Sequence, residues 1–330
     1  MGGRWTIKAA SYVDDQGGQG NLYRADDPTL PVTITEEEGV IQKERARPRV
    51  LMAVHAHPDD EGISTGGVLA RYARLGVRTV LVTATRGEVG EIVDPELAHH
   101  GGNLGEYREQ ELRCAAGILG VSDLRILGYR DSGMAGTPEN SHPECLHQAD
   151  PAEVAARLVA TIREVRPDVV VTYDENGGYG HPDHVAVHRA TVLAFGHAGD
   201  PLSHPEAGPA WSPAKLYYTA FPIRQILEAA RLFREAGQDP PFGDWTEERP
   251  PPFGTPDELV TTRVDIGEYM DAKRTALSCH RTQIALDSRL LRRIEGPARH
   301  AFSHEYFRLV RGPKGPADDE CFETDLFAGL

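Results

Sequence analysis

The chain has 330 residues, a 40% apolar fraction and a formal net charge of -15, with 50 acidic against 35 basic residues. This length suits one large α/β domain with additions or two modest domains, and the apolar fraction excludes a disordered chain. No block of Lys or Arg interrupts the acidic balance, so nucleic acid and anionic membranes are poor partners and a small-molecule substrate or a metal cation fits better.

Four cysteines, Cys114, Cys145, Cys279 and Cys321, form no CxxC pair. That pattern points away from a disulfide framework and from a zinc-thiolate site, and toward a reducing cytosol. The first ten residues lack an apolar signal core, and no stretch is long enough to span a membrane. A soluble, cytoplasmic protein is therefore expected, and a homo-oligomer is compatible with the sequence.

Residues 1–48 are polar and acidic, with short β-like runs at 5–9 and 31–35. They read as an N-terminal extension that packs on the main domain or is partly disordered. The character changes at Pro48. Residues 49–56 (RVLMAVHA) form a continuous apolar run, as does 77–84, and both predict strands buried on two faces. Between them, 68–75 has helical spacing. A helix over 107–119, a strand over 124–127, a helix over 151–165, a buried strand over 168–173 and a helix over 184–195 follow. Alternation of this kind indicates βαβ units: a Rossmann-like α/β fold, with a mostly parallel twisted sheet and helices on both faces. Beyond Gly199 the pattern loosens to a strand over 215–220 and a helix over 223–236. A Pro-rich stretch over 238–256 carries Phe242, Trp245 and Phe253 and reads as an ordered lid or surface loop. A strand over 259–264 and a helix over 267–280 complete the series.

Two of the buried strands end in nearly the same tetrapeptide. The first runs into His55-Ala56-His57-Pro58-Asp59-Asp60-Glu61, the later one into Tyr179-Gly180-His181-Pro182-Asp183-His184. Ligands of open parallel sheets bind beyond the carboxyl ends of the strands, where strand order reverses, so the two clusters can meet. Imidazole and carboxylate are regular zinc ligands, and three protein ligands with one open position make a catalytic site. Pro58 and Pro182 suit the first turn of a helix, which puts His57 and Asp60 on one side at i and i+3. His57, Asp60 and His184 then hold one Zn2+ per chain, with Fe2+ a competitor in the cell. Asp59 and His181 remain beside the metal for general base and acid work. A single HPDD is equally a helix cap with acids at the positive helix end; the second cluster tips the reading to metal. His55, inside the apolar strand, reads as a buried structural residue. No GxGxxG, GxxxxGK[ST], HExxH or GxSxG motif occurs, which argues against dinucleotide binding, P-loop chemistry and a serine nucleophile elbow.

At these residues the chain resembles the LmbE-like (PIG-L) family of zinc-dependent N-deacetylases, from about Arg49 onward. It is most similar to the mycothiol-pathway branch, which includes a deacetylase of N-acetylglucosaminyl-inositol and an amidase of mycothiol S-conjugates. The similarity extends to Gly87–Ile92, Tyr107-Arg108, Arg130–Gly136, Tyr173–Tyr179 and His280-Arg281-Thr282-Gln283-Ile284. The resemblance implies that His57, Asp60 and His184 are zinc ligands and that Asp59 is the base. It implies that His181, oriented by Asp183, stabilises charge or protonates the leaving amine, and that Tyr179 donates to the oxyanion. Arg108 and Asp131 would hold sugar hydroxyls, with Glu91 near them. Residues 49–330 would form one catalytic domain, with 200–330 completing the substrate mouth. Removal of an N-acetyl group from an N-acetylglucosamine-type substrate is then the leading function. Met134-Ala135-Gly136 leans toward that deacetylase and Glu175 toward the amidase. A non-catalytic sugar- or metal-binding module is the third alternative, against which the retained Asp59 argues. His280 reads as a helix-end residue.

Overall fold

A computed structural model describes residues 47–240, 243–288, 290–292 and 299–330, together with the backbone of two short strands, Ser11–Val13 (β1) and Gln19–Asn21 (β2). The chain divides into two units, Met1–Arg47 and Pro48–Leu330. In the first, β1 and β2 pair antiparallel, Tyr12 opposite Gly20. The β-like runs expected at 5–9 and 31–35 lie outside the described residues, as does Phe242.

The second unit is built on a seven-stranded sheet. Its strands are Val50–His55 (β3), Arg78–Thr85 (β4), Asp123–Tyr129 (β5), Val169–Thr172 (β6), Lys215–Ala220 (β7), Thr262–Asp265 (β8) and His304–Arg311 (β9). The spatial order is β5-β4-β3-β6-β7-β9-β8. The five strands from β5 to β7 are parallel, and β9 is antiparallel to both β7 and β8. The sequence reading missed β9. Its residues, HEYFRLVR, carry polar side chains at His304, Glu305, Arg308 and Arg311, which break up the continuous apolar run of a doubly covered strand.

The helices are Asp60–Ser64 (α1), Gly66–Arg74 (α2), Leu104–Ile118 (α3), Pro151–Val165 (α4), a single turn Gly177–Gly180 (α5), Pro182–Ala198 (α6), Ile223–Glu235 (α7) and Met270–Leu277 (α8). Successive strand residues point to opposite faces, so each apolar run feeds two cores. Leu51, Ala53, Leu81 and Val171 pack with Leu69 and Tyr72 of α2, Leu112 of α3 and Leu277 of α8. Met52, Val54, Val82 and Val170 pack with Leu158 and Ile162 of α4 and Val187 and Ala190 of α6. Helices therefore cover both faces, and β3 is buried along its whole length. No helix among the described residues is long and apolar enough to cross a membrane.

The cysteines require a correction. Cys114 on α3 and Cys279 after α8 form a disulfide, with Cα atoms 6.0 Å apart and a sequence separation of 165. The separation hides the pair from any local spacing rule, and only the packing of α3 against α8 reveals it. Cys145 is a buried free thiol and Cys321 an exposed one. Closing so long a loop restricts the unfolded chain, so Cys279→Ser should lower the unfolding free energy by about 2–4 kcal/mol, checked by denaturant titration with and without reductant.

Candidate metal and catalytic site

Strand order reverses between β3 and β6: β4 and β5 lie to one side, β6 and β7 to the other. Such a switch point leaves a crevice beyond the strand ends. The chain leaving β3 passes through His57-Pro58-Asp59 into α1, and the chain leaving β6 passes through α5 into α6. The two turns meet there. His57 Nδ1 lies 3.2 Å from His184 Nε2. Asp60 closes the triangle, with Oδ2 3.5 Å from His57 Nδ1 and Oδ1 3.4 Å from His184 Nε2. Tetrahedral zinc with bonds of about 2.0–2.1 Å separates its ligand atoms by roughly 3.3 Å, so this triangle has the size of one face of such a site.

Each donor is aimed by a specific partner. His184, in the first turn of α6, directs Nδ1–H at the Gly177 carbonyl over 3.0 Å, which leaves the Nε2 lone pair for the crevice. Gly177 has φ +63°, and a Cβ there would stand 2.6 Å from the His184 Cβ, so the close approach requires glycine. His57 turns Nε2 the other way, 3.1 Å from Asp183 Oδ2 and 3.5 Å from Asp131 Oδ1. A carboxylate behind an imidazole fixes its tautomer and makes its other nitrogen a better ligand. Asp60 Oδ2 accepts the His57 backbone N–H at 2.8 Å and the Tyr173 hydroxyl at 2.7 Å. The Tyr173 ring also stacks on His184, 4.2 Å between centroids.

Two expected roles are therefore corrected. The Asp183 carboxylate does not orient His181; it serves His57 and is held by the backbone N–H of Ser132 at 2.9 Å and by the Ser132 hydroxyl. His181 is instead the N-cap of α6, its Nδ1 accepting the Asp183 backbone N–H at 3.2 Å. Asp131 faces His57 and accepts the Gly133 N–H at 2.8 Å. Tyr173 and Ser132 were missed as site residues. Tyr173 ends a buried strand adjacent to the first, which is the signal that it lies at the same crevice; Ser132 gives no signal, because its partner is 51 residues away.

The electrostatics are those of a cation site. Burial resists charge on His57, but Asp131, Asp183 and Asp60 outweigh it and raise its pKa well above the ordinary range. Burial likewise resists charge on Asp60 and on Asp131, and the imidazoles overcome it, lowering both carboxyls. His57, Asp60, Asp131, Asp183 and His184 are each no more than 7% exposed. Three buried carboxylates, Asp60, Asp131 and Asp183, converge on this pair of imidazoles, a concentration of negative charge that a divalent cation would offset. The donor set thus fits a metal ion. His181 also lies within ligand reach of His57 and His184, and His57 Nε2, Asp131 and Asp183 form a second convergent group.

Asp59 stands apart from this triangle. Burial raises its pKa to about 6, against the pull of Arg108. Its backbone has φ 113° and ψ -30°, a strained region for a residue with a Cβ that costs on the order of 1–3 kcal/mol and persists only where the surroundings enforce it. Arg108, buried on α3, supplies part of that enforcement. It donates to the Pro58 carbonyl at 2.6 Å, to the Gly87 carbonyl at 2.9 Å and to Asp59 Oδ2 at 3.3 Å. These contacts direct Arg108 at the Asp59 turn, while its side chain also lines the cavity. Burial, followed by the repulsion of His57 and His184, pushes the His181 pKa down to about 4. Tyr179 is 56% exposed above the crevice, its ring centroid 5.1 Å from that of His184. Glu91 is exposed on the rim. All of them border one cavity of about 770 Å³, whose outer wall includes Ile63, Met134, Phe221, Ile226 and Phe253. Because Asp183 fixes the His57 tautomer, Asp183→Asn should weaken divalent-metal affinity about 10- to 100-fold, measured by competition with a chromophoric chelator.

The chain is similar to known proteins along most of its length. The GlcNAc-PI de-N-acetylase (PIG-L) family model matches residues 52–195. The 1D-myo-inositol 2-acetamido-2-deoxy-alpha-D-glucopyranoside deacetylase of Thermobifida fusca strain YX is 50% identical over 290 residues, covering 85% of this chain and 99% of that protein. The protein of the same name from Acidothermus cellulolyticus is 47% identical over 290 residues, covering 86% of this chain and 95% of its own. Among solved structures, N,N'-diacetylchitobiose deacetylase from Pyrococcus horikoshii superposes with a TM-score of 0.56 at 21% identity, over 81% of this chain and 85% of that one. GalB, the 4-carboxy-2-hydroxymuconate hydratase of Pseudomonas putida KT2440, superposes with 0.52 at 19%, over 82% and 99%. One scaffold thus carries different reactions, and identity along the sequence discriminates where shape does not. The chain belongs to the PIG-L family, the GlcNAc-PI de-N-acetylases.

Proposed function

We propose that this chain is a zinc-dependent hydrolase that removes the N-acetyl group from N-acetylglucosaminyl-inositol or a close N-acetylglucosamine derivative, releasing acetate and the free amine. The observation that carries the reading is the His57-Asp60-His184 triangle opening onto the cavity that Asp59, Tyr179 and His181 also line. The names of relatives at 45–50% identity support the substrate class. Two imidazoles and one carboxylate suit zinc, with ferrous iron the competitor.

A divalent ion held by these residues supplies polarisation of the amide carbonyl and a water of lowered pKa. Asp59 takes the proton of the attacking water as the new C–O bond forms. Tyr179 and His181 donate to the developing oxyanion. His181 does so as a neutral ring, because its Nδ1 already accepts a backbone N–H and its proton therefore sits on Nε2. This favours the charge-stabilising role of His181 over protonation of the leaving amine. As the C–N bond breaks, Asp59 passes the proton to the leaving nitrogen, which balances the hydrolysis.

The amidase alternative leaned on Glu175, which pairs with Arg308 at 3.2 Å and is not part of the cavity wall, whereas Met134 is. A binding module without catalysis would have no use for a partly buried carboxylate held in a strained turn beside the donors. Asp59→Asn should retain the metal and lose about 10²- to 10⁴-fold in kcat. The check is acetate release from N-acetylglucosaminyl-inositol, alongside metal analysis. Chelation should abolish the reaction and added zinc restore it; mercapturate release from a thioether conjugate with no acetate would point to the amidase instead.

A further inference from the structure

His280 is not the helix-end residue that its sequence position suggested. It is fully buried, and its Nε2 lies 2.7 Å from Glu61 Oε1. Glu61 is equally buried, and its other oxygen, Oε2, accepts the backbone N–H of Asp59 at 2.9 Å. Asp59 is the residue at φ 113°. The Asp59 N–H, the Glu61 carboxylate and the His280 ring thus form an unbroken chain that begins in the strained turn and ends in a segment 219 residues downstream of Glu61.

The far end of that chain is itself clamped. Thr282 donates its backbone N–H and its hydroxyl to Glu111 of α3 at 2.8 and 2.6 Å, and its carbonyl accepts the Val93 N–H at 2.8 Å. Cys279 is tied to Cys114 of the same helix. Arg108, which grips the Pro58 carbonyl, is also on α3. One helix therefore anchors both braces of the Asp59 turn, one through the carbonyl before it and one through its own amide. The other nitrogen of His280, Nδ1, is buried and has no hydrogen-bond partner among the described residues. A buried polar atom left unsatisfied is costly, so a His whose single contact is Glu61 serves that contact.

We infer that His280 is a positioning residue for the general base: through Glu61 it holds the Asp59 backbone in its strained conformation and so aims the Asp59 carboxylate. The inference rests on Asp59 being the base. It names a requirement of the reaction that lies outside both metal-binding motifs.

The test uses the geometry of amide side chains. The Gln amide nitrogen reproduces the position of imidazole Nε2, and the Asn amide nitrogen that of Nδ1. His280→Asn should lose on the order of 100-fold in kcat, the effect of a misplacement of about 1 Å, with KM and bound zinc unchanged. His280→Gln, which restores the donor to Glu61, should recover most of that loss. Equal kcat in the Asn and Gln variants would overturn the inference, as would a rise in KM at constant kcat or a loss of zinc in both. Asp59→Asn separates the two levels of the account. If that variant is inactive while His280→Asn is fully active, only the positioning role fails. If Asp59→Asn matches the unaltered enzyme, the base assignment fails and the positioning role falls with it.

Discussion

The crevice is governed by one constraint: buried carboxylates must be held close together without water to screen them. Asp60 is the focus. Its oxygens face two imidazoles, a tyrosine hydroxyl and a backbone N–H, and it is 7% exposed. Ionised groups in so dry a setting are tolerated only with compensating charge and directed donors. The sheet supplies the directed donors, since the ends of β3 and β6 present backbone and side-chain groups at fixed spacing. A divalent cation held by this donor set would supply the compensating charge. Metal binding and the stability of this crevice are therefore aspects of one electrostatic balance.

The same constraint explains the layers around the donors. His57 needs a carboxylate behind it, and Asp183 fills that place only because Ser132 holds it. Asp59 stands beside the donor triangle without joining it, at a position where the backbone leaves regular helical geometry. The turn instead adopts a strained conformation whose cost is met by α3 and by the segment after α8. In this way the C-terminal third of the chain contributes more than a substrate mouth. It braces the strained Asp59 turn near the start of the domain.

The sequence exposed the parts of this arrangement that are local. Continuous apolar runs identify β3, β4 and β6 because strands covered on both faces have no polar side. The HPDD and HPDH tetrapeptides identify the donors because proline opens a helix and brings i and i+3 to one side. What stayed hidden is non-local. The disulfide spans 165 residues and the Glu61–His280 bond 219. The rotamer that sends the Asp183 carboxylate to His57, and not to His181 two residues away, depends on where Ser132 arrives from the far side of the crevice. Arg108 reads from the sequence as a sugar ligand because it is polar and beside the site; only the fold shows that its terminal nitrogens also grip the Pro58 and Gly87 carbonyls. Strand β9 was hidden for a related reason, because polar residues interrupt its apolar run and its antiparallel neighbours β7 and β8 lie far from it in the sequence.

The central claim concerns which nitrogen of His57 meets the metal. Zinc-edge anomalous diffraction from crystals of the zinc-loaded protein tests it directly. The account predicts one peak per chain, bonded to His57 Nδ1, an Asp60 oxygen and His184 Nε2, with the Asp131 and Asp183 carboxylates on the opposite side of the His57 ring. A peak on the Nε2 side, held by His57, Asp131 and Asp183, would contradict it.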